Sequence, residues 1–268
     1  MDDLLRQDPK ATQALVAALG RVPRIREREQ ALLHDGPLPD SVADRTRQLQ
    51  SGRYPEIFAS QFLVVAGDNL LTWHAVLHAE VQPAYGHLSL VRTAIECAVN
   101  ARWLLDPALS AAARIARGLA AQRADYEERR RFEATVPNRP TVERPAKSAA
   151  RRMEDLERER VANGIANESM NATAASRSYL VGSPNGEGAY RLLSAFAHGK
   201  QWSLFASEKA VLLGLNPPPR SQVGQVAARD DVSVGMTQIA VRTYEAAASD
   251  LERFFMPGFA TTPVRVRG

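Results

Sequence analysis

Residues 56–81 read EIFASQFLVVAGDNLLTWHAVLHAEV, and this stretch decides the fold. Ile57, Phe58, Phe62, Leu63, Val64, Val65, Leu70, Leu71, Trp73, Val76 and Leu77 crowd it, and Pro83 follows. The pattern predicts a long core helix with little exposed surface, stopped before the proline. Residues 85–106 predict a second, stopped by Pro107, with Leu90, Ala94, Cys97, Ala101 and Leu105 on one side and Leu88, Ile95, Val99 and Trp103 on another. Residues 108–135 predict a third, apolar at first through Ile115 and Leu119 and then strongly charged over 125–131. The last long helix is expected over 231–255, with Ser233 as a candidate cap and Pro257-Gly258 as its stop. No alternating strand pattern of useful length and no internal repeat is visible. The expected fold class is therefore all-α, an antiparallel helical bundle of long core helices.

Outward from that core, residues 9–35 and 40–53 predict short helices broken by Gly20, Pro23 and the turn Gly36-Pro37-Leu38-Pro39, charged and modest in apolar content. They are read as an N-terminal helical extension over 1–55, with the bundle core over 56–257 and a mobile tail over 258–268. Pro137, Pro140 and Pro145 mark a loop, and residues 151–160 alternate in sign as a surface helix does. Residues 123–160 hold eleven basic and nine acidic side chains, which reads as a solvated arm or as an RNA contact. Residues 163–186 are polar and turn-rich around a short helix, 201–215 form a loop or a hairpin, and Asn216-Pro217-Pro218-Pro219 is a rigid turn.

The formal charge of +4 comes from 34 basic and 30 acidic residues, a mixed surface rather than a basic one. Arg outnumbers Lys thirty to four, a bias that together with the abundant Ala reads as a GC-rich background rather than as phosphate binding. One cysteine, Cys97, excludes an internal disulfide and a Cys-based zinc site and is expected as a buried thiol. No apolar run approaches the roughly 18 residues of a membrane span, and no cleavage signal is visible after the acidic start. The expectation is a soluble, cytoplasmic protein without a membrane partner.

His74 and His78 stand four apart and could share one ion, but no Glu occupies the His-Glu-x-x-His position and two ligands do not make a site, so no metal and no cofactor is expected. Arg92 and Glu96 are also four apart, charged on a largely apolar helix; they form a structural ion pair or line a cavity or interface. The stretch Glu-Gly-Ala-Tyr-Arg-Leu-Leu-Ser-Ala-Phe-Ala-His-Gly, residues 187–199, carries the most chemistry. At about 100° per residue, Arg191 and His198 share a helix face roughly two turns apart with Ser194 between them, while Leu192, Leu193 and Phe196 point elsewhere and Gly199 ends the helix.

The Arg191-x6-His198 spacing resembles the Arg-x4-6-His signature of the HEPN superfamily. Arg28 and His34 match it too, but helical geometry sends them to different faces. These proteins are all-α bundles, many of them dimeric, metal-independent ribonucleases of toxin–antitoxin, abortive-infection (phage defence) and RNA-processing systems. The resemblance implies RNA cleavage through the 2′-hydroxyl, with His198 as general base or acid and Arg191 facing the phosphate charge. It further implies that Ser194 hydrogen-bonds the phosphate, that Arg92 or Glu96 orients Arg191, and that Tyr190 lines the site. One such histidine per chain supplies one proton-transfer group, so a homodimer bringing two faces together is expected. RNA is the expected partner, with a protein inhibitor or antitoxin in addition. The alternative is a non-catalytic helical binding or scaffold protein in which Arg191 and His198 satisfy helix ends and a neighbouring carboxylate.

Overall fold

Local capping rules account for where four of the helices begin. In the computed structural model, which describes residues 8–79, 85–135, 148–200, 202–203, 208–211, 225–228 and 230–258, the helices are α1 (Pro9–Leu19), α2 (Val22–Asp35), α3 (Val42–Arg47), α4 (Tyr54–Leu77), α5 (Gly86–Leu105), α6 (Ala111–Thr135), α7 (Ala149–Ala162), α8 (Ala172–Tyr179), α9 (Gly186–Ala197) and α10 (Asp230–Phe255). Asp8, Ser41, Ser148 and Asn185 each turn a side-chain oxygen onto an otherwise orphaned N–H in the first turn of α1, α3, α7 and α9. Each such cap contributes about 1 kcal/mol. Pro23 does not break a helix: it is the second residue of α2, where a missing N–H costs nothing, and the break is confined to Gly20 and Arg21. The fold class is all-α.

One short antiparallel ribbon interrupts it. Strands β1 (Glu208–Val211) and β2 (Gln225–Ala228) pair with Glu208 opposite Ala228 and Val211 opposite Gln225. Strand β1 lies inside the span 201–215 expected as a loop or a hairpin, but its partner β2 lies outside that span, at 225–228. The proline turn at 216–219, the loop prolines at 137–145 and the tail from 259 onward lie outside the described residues.

Two compact units are each assembled from separated stretches of chain. The first comprises Met1–Ala31, Phe62–Val99 and Ala172–Ala248, the second Leu32–Gln61, Asn100–Asn171 and Ser249–Gly268. Boundaries therefore fall inside α2, α4, α5 and α10.

In the first unit Leu15, Leu19, Leu63, Leu70, Trp73, Leu88, Ile95, Leu193 and Tyr244 are fully buried. Burying each large apolar side chain contributes about 1.5–3 kcal/mol. Several polar groups carried in with them find partners. Trp73 Nε1 donates to Thr237 Oγ1 at 3.1 Å, its indole stacks on His87 with ring centroids 4.6 Å apart, and His87 Nε2 lies 2.9 Å from Ser233 Oγ. Ser233, expected as a cap, is instead a buried partner of His87 one turn into α10. The buried Glu29 takes hydrogen bonds from Arg26 and from the Tyr244 hydroxyl. Gly67 makes room for that hydroxyl, since a Cβ there would stand 2.6 Å from it.

In the second unit Ile115, Leu119 and Leu156 form an apolar cluster between α6 and α7, with Tyr54, Tyr126 and Ile165 packed against it. Arginines close the C-terminus of α5, whose last carbonyls lack helical partners. Arg117 donates to the Trp103 carbonyl at 2.6 Å, and the buried Arg114 to those of Asp106 and Leu109 at 3.0 and 3.3 Å, with its guanidinium over the Phe254 ring. Along the far half of α6 and along α7 the charges pair within their own helices, as in Arg129–Glu133 and Arg160–Glu157. Such exposed pairs contribute little, typically under about 1 kcal/mol.

Candidate functional site

Helix α9 is held at both ends. At its start the buried Gly186 packs so closely on α8 that a Cβ would meet the Ser176 carbonyl oxygen at 2.1 Å. At its end His198 is the C-cap and Gly199 follows at φ +60. The Gly199 N–H reaches the Phe196 carbonyl at 3.0 Å and the Lys200 N–H the Ala195 carbonyl at 2.8 Å. This is the Schellman arrangement, which glycine adopts without strain. Between these anchors Ala189, Tyr190, Leu193, Ala195 and Phe196 are buried, so the helix cannot rotate and its polar positions have fixed directions.

Those positions separate into two groups. The first is a half-buried network across α5 and α9. Arg92 pairs with Glu96 at 2.8 Å, donates Nε to Ser194 Oγ and Nη2 to the Tyr190 hydroxyl, both at 3.2 Å, and lies with its guanidinium 5.6 Å from the Tyr190 ring centroid. Burial pushes the Tyr190 phenol up, and the Glu96 carboxylate adds to that. Cys97, half-buried rather than buried, is pushed up to about 12, by burial first and then by Glu96; its thiol is protonated and a poor nucleophile at neutral pH.

The second group faces solvent. Arg191 is exposed and donates Nε to Glu187 Oε1 at 2.9 Å, one turn earlier on α9; Arg177 of α8 binds the other oxygen of the same carboxylate. Hydrogen bonds from Arg177 and then from Arg191 hold the Glu187 carboxyl below the usual carboxylate range. The His198 side chain is exposed at the helix end, and the residue's backbone N–H donates to the Ser194 carbonyl at 3.1 Å.

Arg92, Glu96, Tyr190 and Ser194 are thus brought together, while Arg191 and His198 project from the same helix outside that network. The carboxylate in contact with Arg191 is Glu187. Residues 187 and 191 form a Glu-to-Arg pair at i, i+4, a spacing legible in the sequence; nothing there pointed to Arg177.

Elsewhere, the rings of His74 and His78 lie edge to face with centroids 5.1 Å apart. Among the described residues no group of three or more His, Cys, Asp or Glu side chains is placed to hold a metal ion, and no helix is long and apolar enough to cross a membrane. A recess in the second unit is bordered by Leu119, Arg123, Leu156, Arg160 and Asn167. Its polar groups are turned on one another: Arg123 donates to Asn167 Oδ1 and the Glu168 carbonyl, and Arg160 pairs with Glu157. Compared with family models, with curated proteins and with solved structures, the chain matches none.

Proposed function

We propose that the protein is a HEPN-like, metal-independent ribonuclease whose reacting groups are His198 and Arg191. The observation that carries this reading is that α9, anchored at both ends, presents both side chains to solvent while Tyr190 and Ser194 are tied to Arg92 of α5. Cleavage through the 2′-hydroxyl asks little of a protein. A base takes the 2′ proton as that oxygen attacks phosphorus, the 5′-oxygen leaves with a proton, and a cation meets the charge that grows on the phosphate oxygens. Histidine changes its protonation state near neutrality and suits the proton transfer. Arg191 offers a forked set of donors suited to phosphate oxygens.

Glu187 steadies Arg191 until a phosphate competes for it, and Ser194 and Arg92 keep α9 in register on α5. A second copy of the chain supplies the second proton-transfer group, so the working form is a homodimer. A toxin or defence effector of this kind is held in check by a protein inhibitor. One observation favours the alternative, a non-catalytic helical binding protein: Arg191 already has a carboxylate partner.

The test is cleavage of unstructured RNA beside a DNA copy of the same sequence. Loss of cleavage in Arg191→Ala, with partial binding kept in Arg191→Lys and the DNA left intact, supports the reading. Cleavage of both polymers at similar rates contradicts it, because the deoxy strand lacks the attacking hydroxyl.

A further inference from the structure

We infer that Trp202 is a base-stacking platform beside the α9 terminus and that the ligand class is unpaired, single-stranded RNA. The inference rests on the RNA reading of α9 and extends it to substrate form and to a residue outside the motif. The chain carries three tryptophans. Trp73 is fully buried and Trp103 is 9% exposed, whereas Trp202 is 54% exposed. A tryptophan left in water forgoes the burial that is its ordinary contribution to a fold, and its indole offers an open π-face.

The position of this ring is not arbitrary. The Schellman closure turns the chain back at Gly199, and the Ser203 N–H and Oγ then donate to the Lys200 carbonyl at 3.0 and 2.6 Å, with Ser203 fully buried. Lys200 is thus bonded through its N–H to Ala195 and through its carbonyl to Ser203, which ties the chain leaving α9 at both of those residues. Trp202 follows His198 by four residues, a span of at most about 14 Å at full extension and less through a turn. Lys200 is exposed between them, and Arg191 and Arg177 are exposed at and beside α9.

Exposed cations that meet phosphates and an exposed aromatic ring that meets bases are the two components of single-strand recognition, and this end of α9 carries both kinds of side chain. A duplex hides its base faces in the stack and could use only the cations. Sequence selectivity is not implied, because every base has a face to stack.

The test uses the full chain, a short 2′-O-methyl oligouridylate that cannot be cleaved through its 2′-oxygen, and the same strand annealed to its complement. The expected result is quenching of the exposed tryptophan emission by the single strand, abolished in Trp202→Ala. Affinity for the single strand should fall roughly 5- to 100-fold in Trp202→Ala and stay near wild type in Trp202→Phe, which keeps a ring. The duplex should bind more weakly and without quenching. Unchanged melting of Trp202→Ala serves as the folding control.

Binding without a Trp202 signal, or with equal affinity in Trp202→Ala, overturns the inference, as does a wild-type chain that does not bind the single strand. So does a Trp202→Ala variant that turns a self-associated protein into monomers at unchanged RNA affinity, since the ring then belongs to a contact between copies. Cleavage that needs His198 but is indifferent to Trp202 would sink this inference alone. Trp202-dependent binding without His198-dependent cleavage would sink the ribonuclease proposal alone.

Discussion

Replacing Glu29 by alanine should destabilise the protein by about 3–5 kcal/mol, the usual cost of breaking a buried ion pair by removing one partner. Glu29 is fully buried on α2, with Arg26 Nη1 at 2.6 Å and the hydroxyl of the equally buried Tyr244 on its other oxygen. After truncation Arg26 loses its buried carboxylate partner and keeps the ion pair with Asp68, at 3.1 Å and largely exposed, a pairing that contributes under about 1 kcal/mol. Tyr244 meanwhile loses its acceptor in the core, which alone costs about 1–3 kcal/mol. For a chain of this size each kcal/mol moves the melting midpoint by roughly 2–4 °C, so a fall of about 6–20 °C is expected.

The pH dependence separates the causes. Burial pushes the Glu29 carboxyl above its ordinary value of 4.5, against the opposing pull of Tyr244 and then Arg26. Between 4.5 and its raised folded value the folded state holds the proton that the unfolded state has released, so this group's contribution to stability falls as pH rises through that window. Glu29→Gln abolishes the titration. Its penalty relative to wild type should therefore be largest at the acid end and shrink as pH rises, in urea melts taken at a series of pH values. A penalty that grows with pH would show that Arg26, not burial, governs the carboxyl, and an unchanged midpoint in Glu29→Ala would refute the whole reasoning.

Glu96→Ala should cost about 1–2 kcal/mol by leaving Arg92 to Tyr190 and Ser194, and a melting midpoint equal to wild type would mean that the pair has no structural role. Gly118→Ala places a Cβ 2.6 Å from Pro55 Cδ and so should destabilise by about 1–3 kcal/mol despite alanine's better helix propensity; a raised midpoint contradicts the packing described for α6. Purified protein should carry far less than one equivalent of zinc, manganese, iron or nickel, and a near-stoichiometric ion lost on His74→Ala would replace the present account with a helical metalloenzyme.

The long helices were legible because their signals are local. Apolar density and proline stops over 56–81 and 85–106 foretold α4 and α5 to within a few residues, and the span 231–255 foretold α10. The site was legible only where its contacts are local. Arg92 and Glu96 pair at i, i+4 as their spacing suggests, but the bonds from Arg92 to Ser194 and Tyr190 cross 102 and 98 residues. Glu29 gave no sign of burial: it lies in the charged run Arg24-Ile25-Arg26-Glu27-Arg28-Glu29, and the hydroxyl that accompanies it into the core is 215 residues away. Strand β1 falls inside the stretch read as a loop or a hairpin, but its partner β2 was not foreseen, because the strands are four residues each and lack the alternation that marks a half-buried strand.

The central claim is that His198 transfers a proton during RNA cleavage without a metal. The direct measurement is the initial rate of cleavage of an unstructured RNA in excess EDTA, for wild type and His198→Ala purified identically and freed of any bound inhibitor. Wild type should cleave, and His198→Ala should be slower by at least about 10²-fold, in the range of a lost general acid or base. Absence of cleavage by wild type in EDTA, or undiminished cleavage by His198→Ala, contradicts the ribonuclease assignment and leaves the helical binding protein as the better account.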